Sequence, residues 1–425
     1  MERAVSWLTD IYNKKILRAS VCFVAFFSIC AAAHVRVLVL SGCAMRNFSI
    51  TDTQWKRPGA ELDDLGAACT SGTPILLVGN ADEVQYFRRD FENVLDWLHD
   101  ANATWEDVAP EKLVPGAARV ICVSSARADY EKWRALWTER GFQENKDFFQ
   151  ADIFRPVFHL YKYGQVHIDR VEVFMTSHCT LNCEKCIAYI PYFQKKSHLP
   201  LELLTKDLDI LFSKVDFVRK LKLLGGEGLM YPYLAEYIEY LFSHYSSHVG
   251  TVRVGTNATL LPSQRILDVC RKYGVIMDVS DYAMAVPGKC RMDELLALLC
   301  DQGIAYEIKR TGEQWLDIGF PDNPANFVKG PEAMEHFGKC AMFCRDFCDG
   351  KMWFCCSNFA AVRAGLYPEN ENDFLDLRTH VSKKMIVEYE IGFSHLGHTS
   401  FCCVCGGCSV EANPHAVPVA KQVAR

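Results

Sequence analysis

Cys179-Thr180-Leu181-Asn182-Cys183-Glu184-Lys185-Cys186 follows directly on the apolar-rich run Val171-Glu172-Val173-Phe174-Met175. The run reads as a strand and the cysteines as the loop leaving its carboxyl end. The spacing is C-x3-C-x2-C. Three thiolates on one tight loop are soft ligands and can hold three irons of a 4Fe–4S cluster. No fourth Cys or His lies nearby at a matching gap. A structural zinc site is normally closed by four ligands, so a zinc knuckle is the poorer reading. Three protein ligands leave one iron open to a substrate or cofactor.

Working outward, residues 169–325 alternate short apolar runs with amphipathic stretches. Strands are expected at 170–177, 221–224, 252–255, 275–279 and 305–309. Helices fit between them at 201–214, 233–246, 263–273 and 292–302. Five strands alternating with helices make a parallel barrel or partial barrel natural, with functional groups at the carboxyl ends of the strands. Leu224-Gly225-Gly226-Glu227 ends the second of these strands, Val254-Gly255-Thr256-Asn257 the third, and Ser280-Asp281 the fourth.

This pattern resembles the radical S-adenosylmethionine (radical SAM) superfamily. The resemblance covers roughly residues 170–310. It implies that Cys179, Cys183 and Cys186 hold the 4Fe–4S cluster. Gly225, Gly226 and Glu227 are similar to the segment that receives the amino group of S-adenosylmethionine. Glycines permit close backbone approach, and a carboxylate can pair with an ammonium. Asn257, Ser280 and Asp281 match positions lining the cofactor pocket or meeting its ribose or sulfonium. Two positions depart from the family. Lys185 stands where an aromatic residue often precedes the third cysteine, leaving Tyr189 or Tyr192 to pack the adenine. Gly228 stands where a proline commonly follows Gly-Gly-Glu.

The chain has 425 residues, 20 of them Cys, with 46 Lys+Arg against 52 Asp+Glu and a net charge of −6. The length suggests two to four domains. A mildly acidic balance argues against a dedicated nucleic-acid binder. Cys22, Cys30, Cys43, Cys69, Cys122, Cys270, Cys290 and Cys300 are scattered, as expected of small buried hydrophobes. The other twelve fall in three tight groups, which read as metal sites needing reduced thiols and hence a cytoplasmic location.

The third region, 326–425, holds Cys340/344/348/355/356 and Cys402/403/405/408. Cys340, Gly350 and Cys355 are spaced C-x9-G-x4-C, which resembles the opening of the SPASM or twitch extension of radical SAM enzymes. There Asp349-Gly350 forms a hairpin turn that returns Cys355 beside Cys340. The resemblance implies one auxiliary 4Fe–4S cluster held by Cys340, Cys355, Cys402 and Cys405, with Cys408 as a replacement for one of the last two. Cys344 and Cys348 keep a second cluster open, and zinc remains an alternative. His395 and His398 are not expected to be ligands. The tail after Ser409 reads as loose.

Residues 1–168 read as a small parallel α/β, Rossmann-like domain. Strands are expected at 74–80 and 118–125, followed by helices over 82–99 and 126–140. With no G-x-G-x-x-G, a dinucleotide site is not claimed. Gly79-Asn80 and Ser124-Ser125 lie where such sheets bind ligands; the alternative is a scaffold or docking role. Residues 21–33 read as a buried helix feeding a strand at 35–40. Lys14, Lys15 and Arg18 ahead of it leave export or anchoring as the alternative.

The expected architecture is therefore α/β. A partial (β/α)6 TIM-like barrel lies between a small N-terminal parallel α/β domain and a C-terminal cysteine-rich cluster domain. The resemblance implies reductive cleavage of S-adenosylmethionine to a 5′-deoxyadenosyl radical. That radical would abstract hydrogen to oxidise or epimerise a sugar-like small molecule. A flavodoxin or ferredoxin would donate the electron, with no membrane or nucleic-acid partner. The alternatives are a maturase for a ribosomal peptide and a non-catalytic iron–sulfur protein. No radical-quenching residue stands out in the sequence.

Overall fold

The computed structural model describes residues 60–79, 81–89, 91, 95, 113–123, 127–310, 314–321, 331–340, 345–392, 398–409, 413 and 415–423. The helix expected at 21–33 and the strand at 35–40 lie outside these residues. No helix among the described residues is long and apolar enough to cross a membrane.

After helix Ala60–Cys69, the first three strands are β1 (Ile75–Gly79), β2 (Arg119–Val123) and β3 (Phe148–Gln150). They form a parallel sheet in the order β1-β2-β3. Side chains alternate across a strand, so both faces are apolar. Leu76, Val78, Val120, Cys122 and Phe148 pack on one side with Trp133 and Trp137. Ile75, Leu77, Ile121, Val123 and Phe149 face the other, into the main core. Helix Arg127–Glu139 matches its expectation, and Gly141 beyond it has φ +83°. The helix expected over 82–99 is Ala81–Arg89 within the described residues. Asn80, Ser124 and Ser125 fall outside them.

The second sheet carries the cysteine loop. β4 (His167–Thr176), β5 (Phe217–Gly225), β6 (Val249–Thr256), β7 (Ile276–Asp281) and β8 (Tyr306–Arg310) are successive parallel neighbours. Helices Leu201–Phe212, Leu234–Tyr245, Gln264–Tyr273 and Met292–Asp301 connect them. Sequence signals set these ends. Ser263 accepts from the Ile266 backbone N–H at 3.4 Å as an N-cap, and Gly274 closes the same helix at φ +67°.

After β9 (Gln314–Leu316), the sixth parallel strand, β10 (Arg345–Cys348), joins the free edge of β4. β11 (Lys351–Trp353) and β12 (Phe374–Asp376) extend the sheet antiparallel, giving the order β12-β11-β10-β4-β5-β6-β7-β8. Asp349 and Gly350 link β10 to β11 with φ of 51° and 69°. Positive φ at both central residues marks a type I′ hairpin turn. The Asp207 carboxylate accepts both turn N–H groups at 2.8 Å, tying the hairpin to the barrel.

The tail is the first correction. Expected to be loose after Ser409, it forms β13 (Ala416–Pro418), antiparallel to β9. Its three-residue strand has no periodicity to announce it; its partner, 100 residues earlier in the chain, orders it.

Candidate active site

The cysteine loop is built by close backbone approach. Gly226 donates to Thr176 O at 2.8 Å, and Glu227 N donates to His178 O at 2.9 Å. A Cβ on Gly226 would sit 2.4 Å from His178 O and 2.8 Å from Cys179 Cβ; on Gly225 it would sit 2.3 Å from Thr176 O. The glycines thus let the end of β5 press against the loop leaving β4.

Cys179, Cys183 and Cys186 line one cavity of about 220 Å³, together with Gly225, Gly226, Asn257 and Ser280. These residues leave the carboxyl ends of four adjacent strands. Donors point at the sulfurs. Asn257 Nδ2 lies 3.5 Å from Cys179 Sγ and 3.1 Å from Thr180 Oγ1; Leu181 N lies 3.4 Å from Cys179 Sγ; Gln422 Nε2 lies 3.3 Å from Cys183 Sγ. Burial pushes the Cys179 thiol up to about 12 and Cys183 up to about 11. Ligation would therefore have to displace their protons.

Two expected residues do not face the cavity. Glu227 is 1% exposed. Its carboxylate accepts from Asn257 N at 2.8 Å and Leu229 N at 3.1 Å, so it clamps β5 to β6. Asp281 Oδ1 accepts from Ala283 N at 3.1 Å; strand alternation places Ser280 and Tyr282 on the cavity wall instead. The aromatic pair is also different from the expected one. Tyr189 is buried against Phe320 and near Cys405 and Cys355 rather than in the cavity wall. Tyr282 and Trp315 line the cavity, ring centroids 5.8 Å apart and nearly perpendicular. Lys185, in the position often aromatic, forms an ion pair with Asp317 at 3.2 Å.

The tail clamps the loop. Asn182 N donates to Gln422 Oε1 at 2.8 Å, Glu184 N to Lys421 O at 2.7 Å, and Val423 N to Asn182 O at 2.8 Å. Sequence reading missed this because hydrogen bonds of a short unpatterned segment leave no local signal.

Cys340, Cys355, Cys402, Cys405 and Cys408 come together in the C-terminal region, each within electrostatic reach of others of the group. Cys408 N lies 3.4 Å from Cys340 Sγ, and Gly407 N lies 3.3 Å from Cys405 Sγ. Cys348 instead faces Arg363 and Asp207, and Cys356 the barrel interior; Cys344 and His395 lie outside the described residues. His398 Nδ1 is 2.8 Å from Thr399 O.

Both groups fit iron–sulfur clusters. No disulfide joins the described cysteines, and backbone or amide N–H groups are aimed at sulfur in each group. Among the described residues, no three of these sulfurs lie within 4.8 Å of one another. A tetrahedral zinc site, with Zn–S near 2.3 Å, would hold its sulfurs about 3.8 Å apart.

The inner wall of the cavity carries charge that the sequence did not reveal. Glu172, Lys222 and Asp346 line it. Arg170 pairs with Glu172, and Lys222 Nζ reaches Asp278 at 2.9 Å. Arg253 also meets Asp278, at 2.6 Å.

Comparison with known proteins gives partial likenesses. No protein-family profile matches the chain. Putative protein YfkA of Bacillus subtilis is 23% identical over 135 residues, 29% of this chain and 35% of that protein. The chain thus spans about a third of the curated relative it matches. Among solved structures, BtrN in complex with AdoMet and 2-DOIA aligns with TM-score 0.38 and 15% identity, covering 59% of this chain and 98% of BtrN. The anSMEcpe structure with bound AdoMet gives 0.35 and 12%, covering 57% and 89%. Streptococcus suis SuiB bound to S-adenosylmethionine gives 0.27 and 16%, covering 43% and 44%.

Proposed function

We propose that this chain is a radical SAM enzyme. The observation that carries the reading is the shared cavity of Cys179, Cys183 and Cys186 with Gly225, Gly226, Asn257 and Ser280. The three cysteines would hold a 4Fe–4S cluster with one iron left for S-adenosylmethionine. When bound, that cluster supplies the electron for reductive cleavage of S-adenosylmethionine to methionine and a 5′-deoxyadenosyl radical, which takes hydrogen from the substrate. The chain's own residues do the rest. Gly225 and Gly226, held against the cysteine loop, would present cavity-lining backbone to the amino-acid end of the cofactor. Asn257 hydrogen-bonds the loop and holds the Cys179 sulfur in place. Tyr282 and Trp315 supply apolar wall and exclude water.

The C-terminal group would hold one auxiliary 4Fe–4S cluster through Cys340, Cys355, Cys402 and Cys405, with Cys408 as the replacement ligand. The placement of Cys348 beside Arg363 and Asp207, and of Cys356 in the cavity wall, away from the C-terminal group, supports one cluster over two. Oxidation or epimerisation of a small polar, sugar-like molecule is the favoured outcome, because Glu172, Lys222 and Asp346 place charge in an otherwise largely apolar cavity wall. A peptide maturase is the second reading: anSMEcpe has been solved with a peptide and SuiB with its precursor peptide. We assign the N-terminal sheet, within residues 1–168, a docking or scaffold role beside the barrel at 169–325. A flavodoxin or ferredoxin in the cytoplasm would be the electron donor.

Electron paramagnetic resonance of the dithionite-reduced, anaerobically reconstituted protein tests this. The expected result is a 4Fe–4S signal whose g-values shift when S-adenosylmethionine is added. A signal indifferent to S-adenosylmethionine would leave a non-catalytic iron–sulfur protein.

A further inference from the structure

The inner end of the cavity holds a charge arrangement that the cofactor does not account for. Asp346 on β10 sits opposite Glu172 on β4 in the strand register, and both line the cavity. An oxygen of each, with the sulfur of Cys356, lies within 4.8 Å of the others. Glu172 is matched by Arg170. Asp346 is not matched in the same way. It is 2% exposed, and its Oδ2 has no hydrogen-bond partner.

A buried carboxylate oxygen without a donor is costly, on the order of 1–3 kcal/mol or more. Such a group in a cavity wall marks a place where a ligand donor belongs. Burial, then the neighbouring Glu172 charge, pushes the Asp346 carboxyl well above the ordinary carboxylate value. A cation placed there would offset both effects by stabilising the ionised carboxylate. A metal dication fits poorly. Burial would raise Glu172, but Arg170, Lys222 and Lys309 outweigh it and hold it below its ordinary value, so Glu172 is already balanced and Asp346 leaves a single negative charge for a ligand, which suits a monovalent cation better than a dication. An anionic ligand would face two carboxylates. An ammonium is monovalent, donates up to three hydrogen bonds, and needs one unmatched carboxylate oxygen.

We propose that Asp346 anchors a protonated amino group of the substrate at the inner end of the cavity. This deepens the radical SAM reading, on which its assignment to the substrate rests. The substrate is then a small polar molecule with an amine, its reacting carbon held between Asp346 and the cysteine loop. Asp346 is a binding and positioning residue.

The test uses the full-length reconstituted protein with S-adenosylmethionine and a matched probe pair, cyclohexylammonium and cyclohexanol, in anaerobic equilibrium dialysis at pH 7. The wild type is expected to bind the ammonium at least tenfold more tightly than the alcohol. Asp346→Asn is expected to lose at least tenfold for the ammonium and little for the alcohol. Circular dichroism and iron content check that the variant is folded; Asp346→Ser replaces it where Asn does not load iron. Equal binding of the two probes, or equal ammonium affinity in wild type and variant, overturns the proposal. 5′-Deoxyadenosine release by the same wild-type preparation reports separately on the radical reading. Its absence alongside selective ammonium binding would remove that reading and leave the amine site standing.

Discussion

Gln422 and Cys183, 239 residues apart in sequence, meet at the cysteine loop: Gln422 Nε2 lies 3.3 Å from Cys183 Sγ. The same side chain accepts from Asn182 N at 2.8 Å, so one amide both positions the loop and reaches a proposed cluster ligand. Hydrogen bonds to ligating sulfur stabilise the reduced, more negative cluster. Gln422→Leu removes the donor. A net hydrogen bond of about 1 kcal/mol corresponds to roughly 40 mV for one electron. The variant's loop cluster is predicted to titrate that much more negative in a potentiometric titration, with the C-terminal cluster unchanged. An unshifted potential would confine Gln422 to a packing role.

Gly226→Ala places a methyl group 2.4 Å from a backbone carbonyl of the cysteine loop, where no flexible side chain can yield. The loop must shift. The predicted result is loss of about half the iron, with the C-terminal cluster retained, and failure to bind S-adenosylmethionine. Wild-type iron content in this variant would show that the loop tolerates displacement.

His159 and His167 stack with ring centroids 3.6 Å apart, joining helix Ala151–Tyr163 to β4. Burial lowers both. His159 falls to about 3, with the His167 and Arg155 charges adding to the effect, and His167 to about 4. The unfolded chain titrates near 6.5. Between these values the unfolded state binds more protons, so stability is full above pH 6.5 and is lost as pH falls towards 4. The slope is about 1.4 kcal/mol per pH unit for each histidine. Urea denaturation of wild type and His167→Phe from pH 7.5 to 4.5 checks it. The variant is predicted to show the flatter dependence; parallel curves would place the acid sensitivity elsewhere.

Arg345, 1% exposed, pairs with the equally buried Glu390 at 3.3 Å and donates to Phe354 O at 3.1 Å and Glu390 O at 2.6 Å. Glu390 also accepts from Asp169 N at 3.0 Å. This pair fastens β10, helix Lys383–Glu390 and the start of β4 together. Removing one partner leaves a buried charge unmatched. Arg345→Ala is predicted to cost about 3–5 kcal/mol in chemical denaturation. A loss below 1 kcal/mol would mean that Glu390 finds another partner.

The sequence carried the barrel because local rules agreed there: apolar strand runs, helix periodicity and caps such as Ser263 and Gly274 place β4 to β8 to within a few residues. The Asp349-Gly350 turn was legible for the same reason, since both residues tolerate positive φ. What the sequence left open is of another kind. Glu227 is a carboxylate after two glycines in sequence, but it turns to the N–H groups of Asn257 and Leu229. Strand alternation, which turns Asp281 from the cavity and Tyr282 into it, becomes decisive when the strand end is known to the residue. The pairing of β10 with β4, the tail across the loop, and Asp346 beside Glu172 are all long-range contacts between short segments. No local pattern encodes them.

The central claim is radical cleavage of S-adenosylmethionine at a cluster held by Cys179, Cys183 and Cys186. The most direct test is 5′-deoxyadenosine release, with iron and sulfide counts, from anaerobically reconstituted wild type and Cys183→Ala given dithionite and S-adenosylmethionine. The account predicts about eight irons and deoxyadenosine from the wild type. It predicts about four irons and no deoxyadenosine from the variant. Zinc in place of iron, or deoxyadenosine undiminished in Cys183→Ala, would contradict it.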